Sequence, residues 1–209
     1  MKAFVRAFLL LVGLIVLVAG ASAFTIVSRG VSTRVEPTWA ETVLARGMRR
    51  LAMPSVMRDA KNPVEPSAEV IEEALAHFAD HCASCHGNDG SGGTDIGRSF
   101  YPPAPDMRAT ATQNLTDGEL FSIIENGVRL TGMPAWGTGT PEGEHQTWAL
   151  VRFIRHLPSL TPDDIARMEE LNPKSPEQFR EEEEIRRFLA GEDLDDKPAS
   201  TTPPSHKHN

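Results

Sequence analysis

The chain has 209 residues, of which 24% are charged and 40% hydrophobic, and a formal net charge of −8. The charge is uneven: residues 1–60 carry 8 basic and 3 acidic groups, residues 61–160 carry 6 and 13, and residues 161–209 carry 7 and 13. No basic surface interleaved with aromatics can be assembled from this pattern, which excludes nucleic acid as a partner.

Lys2 and Arg6 precede an uncharged run from Ala7 to Ser28, 22 residues that include Phe8-Leu9-Leu10-Leu11-Val12. About 20 mostly apolar residues suffice to cross a bilayer as a helix. Ala21-Ser22-Ala23 also has the small-x-small form of a signal cleavage site. Cleavage there would remove residues 1–23, but apolar character resumes with Phe24, Ile26 and Val27, which favours an uncleaved anchor. The basic residues in front hold the N-terminus in the cytoplasm, so the chain beyond Ser28 is exported on either reading. Residues 1–28 are therefore predicted to be a single-pass transmembrane signal-anchor in the cytoplasmic membrane, with residues 7–28 in the lipid.

Residues 29–66 read as a connector. Glu36-Pro37-Thr38 starts a helix predicted to run to about Ala52, with Trp39, Val43 and Leu51 apolar and Arg46, Arg49 and Arg50 near its end, where cations suit the helix dipole. It is expected to rest on the membrane surface or on the following domain, with a dedicated docking helix as the other reading. Pro54, Pro63 and Pro66 then predict an extended linker.

A domain is predicted over residues 67–158. Val70, Ile71, Ala74, Leu75 and Phe78 recur at amphipathic-helix spacing and lead into Cys82-Ala83-Ser84-Cys85-His86-Gly87. Cys82 and Cys85 are the chain's two cysteines, and C-x-x-C-H is the signature of covalent c-type haem attachment. Two thiols three positions apart each form a thioether to one haem vinyl group, and His86 then offers its imidazole to the iron. A thioredoxin-like C-x-x-C needs a βαβ setting, a zinc site needs two further ligands, and a disulfide leaves His86 unexplained. Export sharpens the point, because free thiols in an oxidising compartment tend to close into a disulfide unless something consumes them.

Residues 87–93 are predicted to form a loop, and Tyr101-Pro102-Pro103-Ala104-Pro105 a stiffer one. Thr116-Asp117-Gly118-Glu119 is a capping box for a short helix with Leu120, Ile123 and Ile124 apolar, ended by Gly127. Thr131-Gly132-Met133-Pro134-Ala135-Trp136-Gly137 follows, then a loop to about Glu144 and an amphipathic helix from His145 to Leu157. An iron that shuttles electrons needs a sixth ligand, commonly methionine. Met107 and Met133 lie within the domain. Met133 is the stronger candidate, because a weak thioether ligand needs a stiff loop and Gly132 and Pro134 flank it. Met107 reads as packing.

Helix, C-x-x-C-H, proline loop, short helix, Gly-Met-Pro and last helix together resemble the class I cytochrome c family over roughly residues 68–158. The resemblance implies an all-α fold: a small helical haem domain whose first and last helices cross at Ala74, Phe78, Leu150 and Phe153, with Ala74 replacing the family's usual glycine. It also implies a proline carbonyl that accepts the second ring N–H of the axial histidine. Pro105 is the candidate, with Pro102 and Pro103 as neighbours in the same loop. Trp136 and Tyr101 either touch the haem edge or simply pack. The resemblance does not extend to the anchor, the connector or a C-terminal helical extension over residues 159–191. That extension has helices from Thr161 to about Leu171 and from Ser175 to near Gly191, with Phe179, Ile185, Phe188 and Leu189 available to pack on the domain. Residues 192–209, including His206 and His208, are expected to be disordered.

The function expected is that of a membrane-anchored electron carrier rather than an enzyme. It would hold one haem c through Cys82 and Cys85, with iron ligated by His86 and Met133, and pass electrons between redox protein partners of a respiratory chain in the periplasm. The alternatives are a haem subunit of an oxidase or dehydrogenase complex, and a haem-based gas sensor with Met133 displaceable.

Overall fold

Hydroxyl side chains begin most of the longer helices in this chain. In the computed structural model, which describes residues 2–30 and 32–191, Thr38, Ser67, Thr94, Thr116, Thr140 and Ser175 each accept a hydrogen bond from a backbone N–H of the helix that follows. Such a cap satisfies one of the otherwise unpaired donors of the first turn. The helices so placed, with their neighbours, are α1 (Lys2–Arg29), α2 (Trp39–Ala52), α3 (Ser55–Arg58), α4 (Ala68–His81), α5 (Ala83–His86) and α6 (Asp95–Ser99). They continue as α7 (Thr110–Gln113), α8 (Asp117–Asn126), α9 (Pro141–His156), α10 (Pro162–Leu171) and α11 (Pro176–Leu189). No strand occurs among the described residues, and the fold is all-α as expected. The tail from residue 192, with His206 and His208, lies outside the described residues.

The chain divides into two units at Leu171. In the first, α4 crosses α9, and Ala74, Phe78, Leu150 and Phe153 are all buried there. The rings of Phe78 and Phe153 meet at 5.1 Å between centroids with 49° between planes. Truncating a ring so enclosed costs on the order of 3–5 kcal/mol. Phe121 of α8 stacks on Trp148 of α9 at 4.1 Å. Arg155 ties α9 to α8 through the Asp117 carboxylate at 2.8 Å. In α10, Met168 is fully enclosed and Arg167 pairs with Glu72 of α4 at 2.9 Å.

Two boundaries differ from expectation. Helix α9 starts at Pro141 rather than His145, because Thr140 caps it at the Gly143 N–H and proline suits the first helical position. The packed body also begins well before Ser67, and residues 55–64 are not a free linker. Val64 is buried in the core and Met57 and Ala60 pack on it. The Arg58 carbonyl accepts the Thr116 hydroxyl, Asn62 Nδ2 donates to the Trp148 carbonyl at 2.9 Å, and Arg152 Nε donates to the Val64 carbonyl at 2.8 Å. The prolines stop helices here, but these bonds satisfy the extended main chain against the domain.

The second unit, described by itself, holds α11. Its start is a capping box of Ser175 and Gln178, and Lys174 pairs with Glu182 at 2.7 Å. Phe179, Ile185, Phe188 and Leu189 are exposed.

Candidate haem site

The two cysteines sit where α4 runs out. Cys82 is the last residue bonded to α4, through its N–H to the Phe78 carbonyl at 2.8 Å, and its own carbonyl opens α5 by accepting from His86 N at 2.9 Å. One helical turn therefore separates Cys82 from Cys85, with His86 directly after, and both thiols are free. Burial, and secondarily the neighbouring Cys85, pushes the Cys82 thiol up to about 12. A redox-active C-x-x-C depends on a lowered thiol pKa, so Cys82 is set the opposite way, and no strand for a βαβ setting occurs among the described residues.

Burial lowers the pKa of His86 and keeps its imidazole neutral, the form that ligates metal. Its Nδ1 is the one buried side-chain nitrogen or oxygen, among the described residues, that has no hydrogen-bond partner. A buried group left so costs about 1–3 kcal/mol. An imidazole held neutral beside two unpaired thiols fits a covalently attached haem, and the donor set of two thiols and one imidazole is the one that c-type attachment uses.

The loop after α5 folds back over it. Gly92 N–H donates to the His86 carbonyl at 2.7 Å, and the Thr94 hydroxyl donates to the Cys85 carbonyl at 3.0 Å. Gly92 has φ +72° and lies so close to the proline loop that a Cβ there would sit 2.3 Å from the Ala104 carbonyl oxygen and 3.0 Å from that of Pro105. Only glycine meets both demands. Pro105 is thus brought to the histidine side of the site, although His86 Nδ1 makes no hydrogen bond to it.

Met133 is half-buried in a loop pinned at both ends. Its carbonyl accepts from Val128 N at 3.0 Å and its N–H donates to the Thr131 hydroxyl at 3.1 Å. Beyond it, Trp136 N and Gly137 N return to the carbonyls of Ile124 and Glu125 at the end of α8. A Cβ on Gly132 would fall 2.4 Å from the ring of Phe100. Trp136 meets His81, the last residue of α4, edge to face at 5.7 Å, which brings the methionine loop beside the cysteine turn. Met107 is buried in the hydrophobic core. Burial, and then the neighbouring Glu41 carboxylate, raises the Tyr101 phenol.

Sequence reasoning missed His81, Phe100 and Thr94. Thr94-Asp95 is itself a helix-start signal, but His81 and Phe100 act through contacts that no local pattern announces.

Residues 69–154 match the family model described as cytochrome C oxidase, cbb3-type, subunit III. No curated protein matches the chain.

Proposed function

We propose that this protein, whose residues 69–154 match the cbb3-type cytochrome oxidase subunit III model, is a membrane-anchored, single-haem cytochrome of the class I kind that relays electrons between redox proteins on the periplasmic side. The observation that carries the reading is the turn at Cys82, Cys85 and His86, with two free thiols and a neutral, half-buried imidazole whose Nδ1 is buried without a partner. When bound, the haem supplies the one-electron chemistry. Cys82 and Cys85 would hold it covalently, and His86 and Met133 would ligate its iron. Pro105 is the proposed acceptor for the His86 Nδ1 proton, fixing the ring's orientation. With both of these residues bound to the iron, no position would be left open for substrate, which supports the role of a carrier. The test is absorbance of the oxidised, purified protein. A weak band near ~695 nm marks axial thioether ligation, and its absence at neutral pH overturns the Met133 assignment.

A second reading is favoured by the family match itself: the chain acts as the haem-carrying subunit of a terminal oxidase complex. In that case the carrier role is unchanged, and its electron acceptor is the complex to which it is bound.

A further inference from the structure

Helix α2 is placed on the domain the wrong way round for a soluble protein. Thr42 and Arg49, seven residues and two turns apart on one face, are its half-buried residues within residues 40–48 and the turn that follows. Glu41 reaches Tyr101, and Arg49 is half-buried with the Glu119 carboxylate as its counter-charge. The polar side of the helix therefore faces the protein. On the other side Trp39, Val43, Leu44, Met48 and Leu51 are 80%, 50%, 64%, 61% and 88% exposed. A contiguous apolar surface of this kind marks an interaction site.

The geometry points to the outer surface of the lipid bilayer as the occupant: α2 is an interfacial helix that lies in the headgroup region with its apolar side in the acyl boundary and carries the haem domain on its polar side. This inference rests on α1 being a membrane anchor. Three observations select lipid over a protein partner. First, nine residues separate Arg29 from Trp39, a length that reaches at most about 30 Å fully extended, so α2 begins close to where α1 leaves the membrane. Second, Arg46 borders the apolar side, and Arg50 is 70% exposed although its Nε lies 3.9 Å from Glu119, in the one stretch of an otherwise acidic chain that is net basic, complementary to anionic headgroups. Third, the apolar side begins with Trp39, the residue type that favours the membrane–water boundary.

The test uses the full-length haem protein in vesicles containing anionic lipid, with acyl chains brominated at a shallow or a deep position. Emission due to Trp39 is taken as the difference from Trp39→Phe. Shallow bromines should cut that emission about twofold or more, and deep ones distinctly less, since such helices sit ~5–10 Å below the headgroups. Leu44→Glu/Leu51→Glu changes two exposed positions and should abolish the quenching. Unquenched Trp39 in protein that remains with the vesicles through a carbonate wash overturns the inference, keeps the anchor and leaves this face to a protein partner. Quenching that survives the double substitution also overturns it, because the tether alone would then explain proximity. Protein washed off the vesicles removes both the anchor reading and this one.

Discussion

Met133 and Met107 differ in what fixes them. Met107 is 6% exposed within the core. Its N–H donates to the Gly90 carbonyl at 2.8 Å and its carbonyl accepts from Gln113 at 2.7 Å. Met133 is half-buried and held by its loop rather than by the core. Replacing each by alanine should therefore separate ligation from packing. Met133→Ala is expected to lower the reduction potential by some fraction of the roughly 0.8 V that axial ligation spans, and to let carbon monoxide bind the ferrous iron, with stability little changed. Met107→Ala is expected to keep the potential and cost about 2–5 kcal/mol through the cavity it leaves. Potentiometric titration, the carbon monoxide difference spectrum and a urea midpoint read the three quantities. Exchange of the two phenotypes would reverse the assignment.

At the scale of elements, the helices that could be read in advance are those with a cap and a periodic apolar side: α2, α4, α8, α10 and α11 start where Thr38, Ser67, Thr116, Thr161 and Ser175 indicate. The C-x-x-C-H turn was equally legible, because its chemistry depends on local spacing alone. The short helices α3, α6 and α7 have four or five residues, too few for a period to show. The docking of residues 55–64 was hidden for a different reason: it depends on side chain to main chain bonds across 86 and 88 residues. Gly118 is where that docking is tightest, since a Cβ there would lie 2.0 Å from the Met57 carbonyl oxygen and 3.0 Å from that of Arg58. Alanine is favoured over glycine by about 1 kcal/mol in a helix interior, yet in the first turn of α8 it must push α3 away. The clash should win, so Gly118→Ala is expected to destabilise by roughly 1–3 kcal/mol and to speed amide exchange over residues 55–60. A stabilised variant with unchanged exchange would show that α3 is not held there.

For the molecule as a whole, the two ends of the first unit are built for different solvents. An 18-residue window within the helical span Lys2–Ser28 has a mean hydropathy of 2.6 and none of it is buried against protein, whereas the packed helices from α3 to α10 enclose their own apolar side chains. A helix of 28 residues is about 42 Å long at 1.5 Å per residue, enough to cross the hydrocarbon core of roughly 30 Å with turns to spare. Left in water, its row of leucine, valine and isoleucine side chains would forfeit on the order of 1.5–3 kcal/mol each, which makes the span a candidate membrane anchor. On the proposed reading, Lys2 and Arg6 at its start would keep that end in the cytoplasm and the domain that follows would lie on the other side. Membranes from cells that express the chain should accordingly retain all covalent haem staining through carbonate and high-salt washes, and the retained protein should begin at or near Met1 by N-terminal sequencing. Release of the haem protein into the soluble fraction with Phe24 as its first residue would show instead that Ala21-Ser22-Ala23 is cut, and that the span serves export and is then discarded.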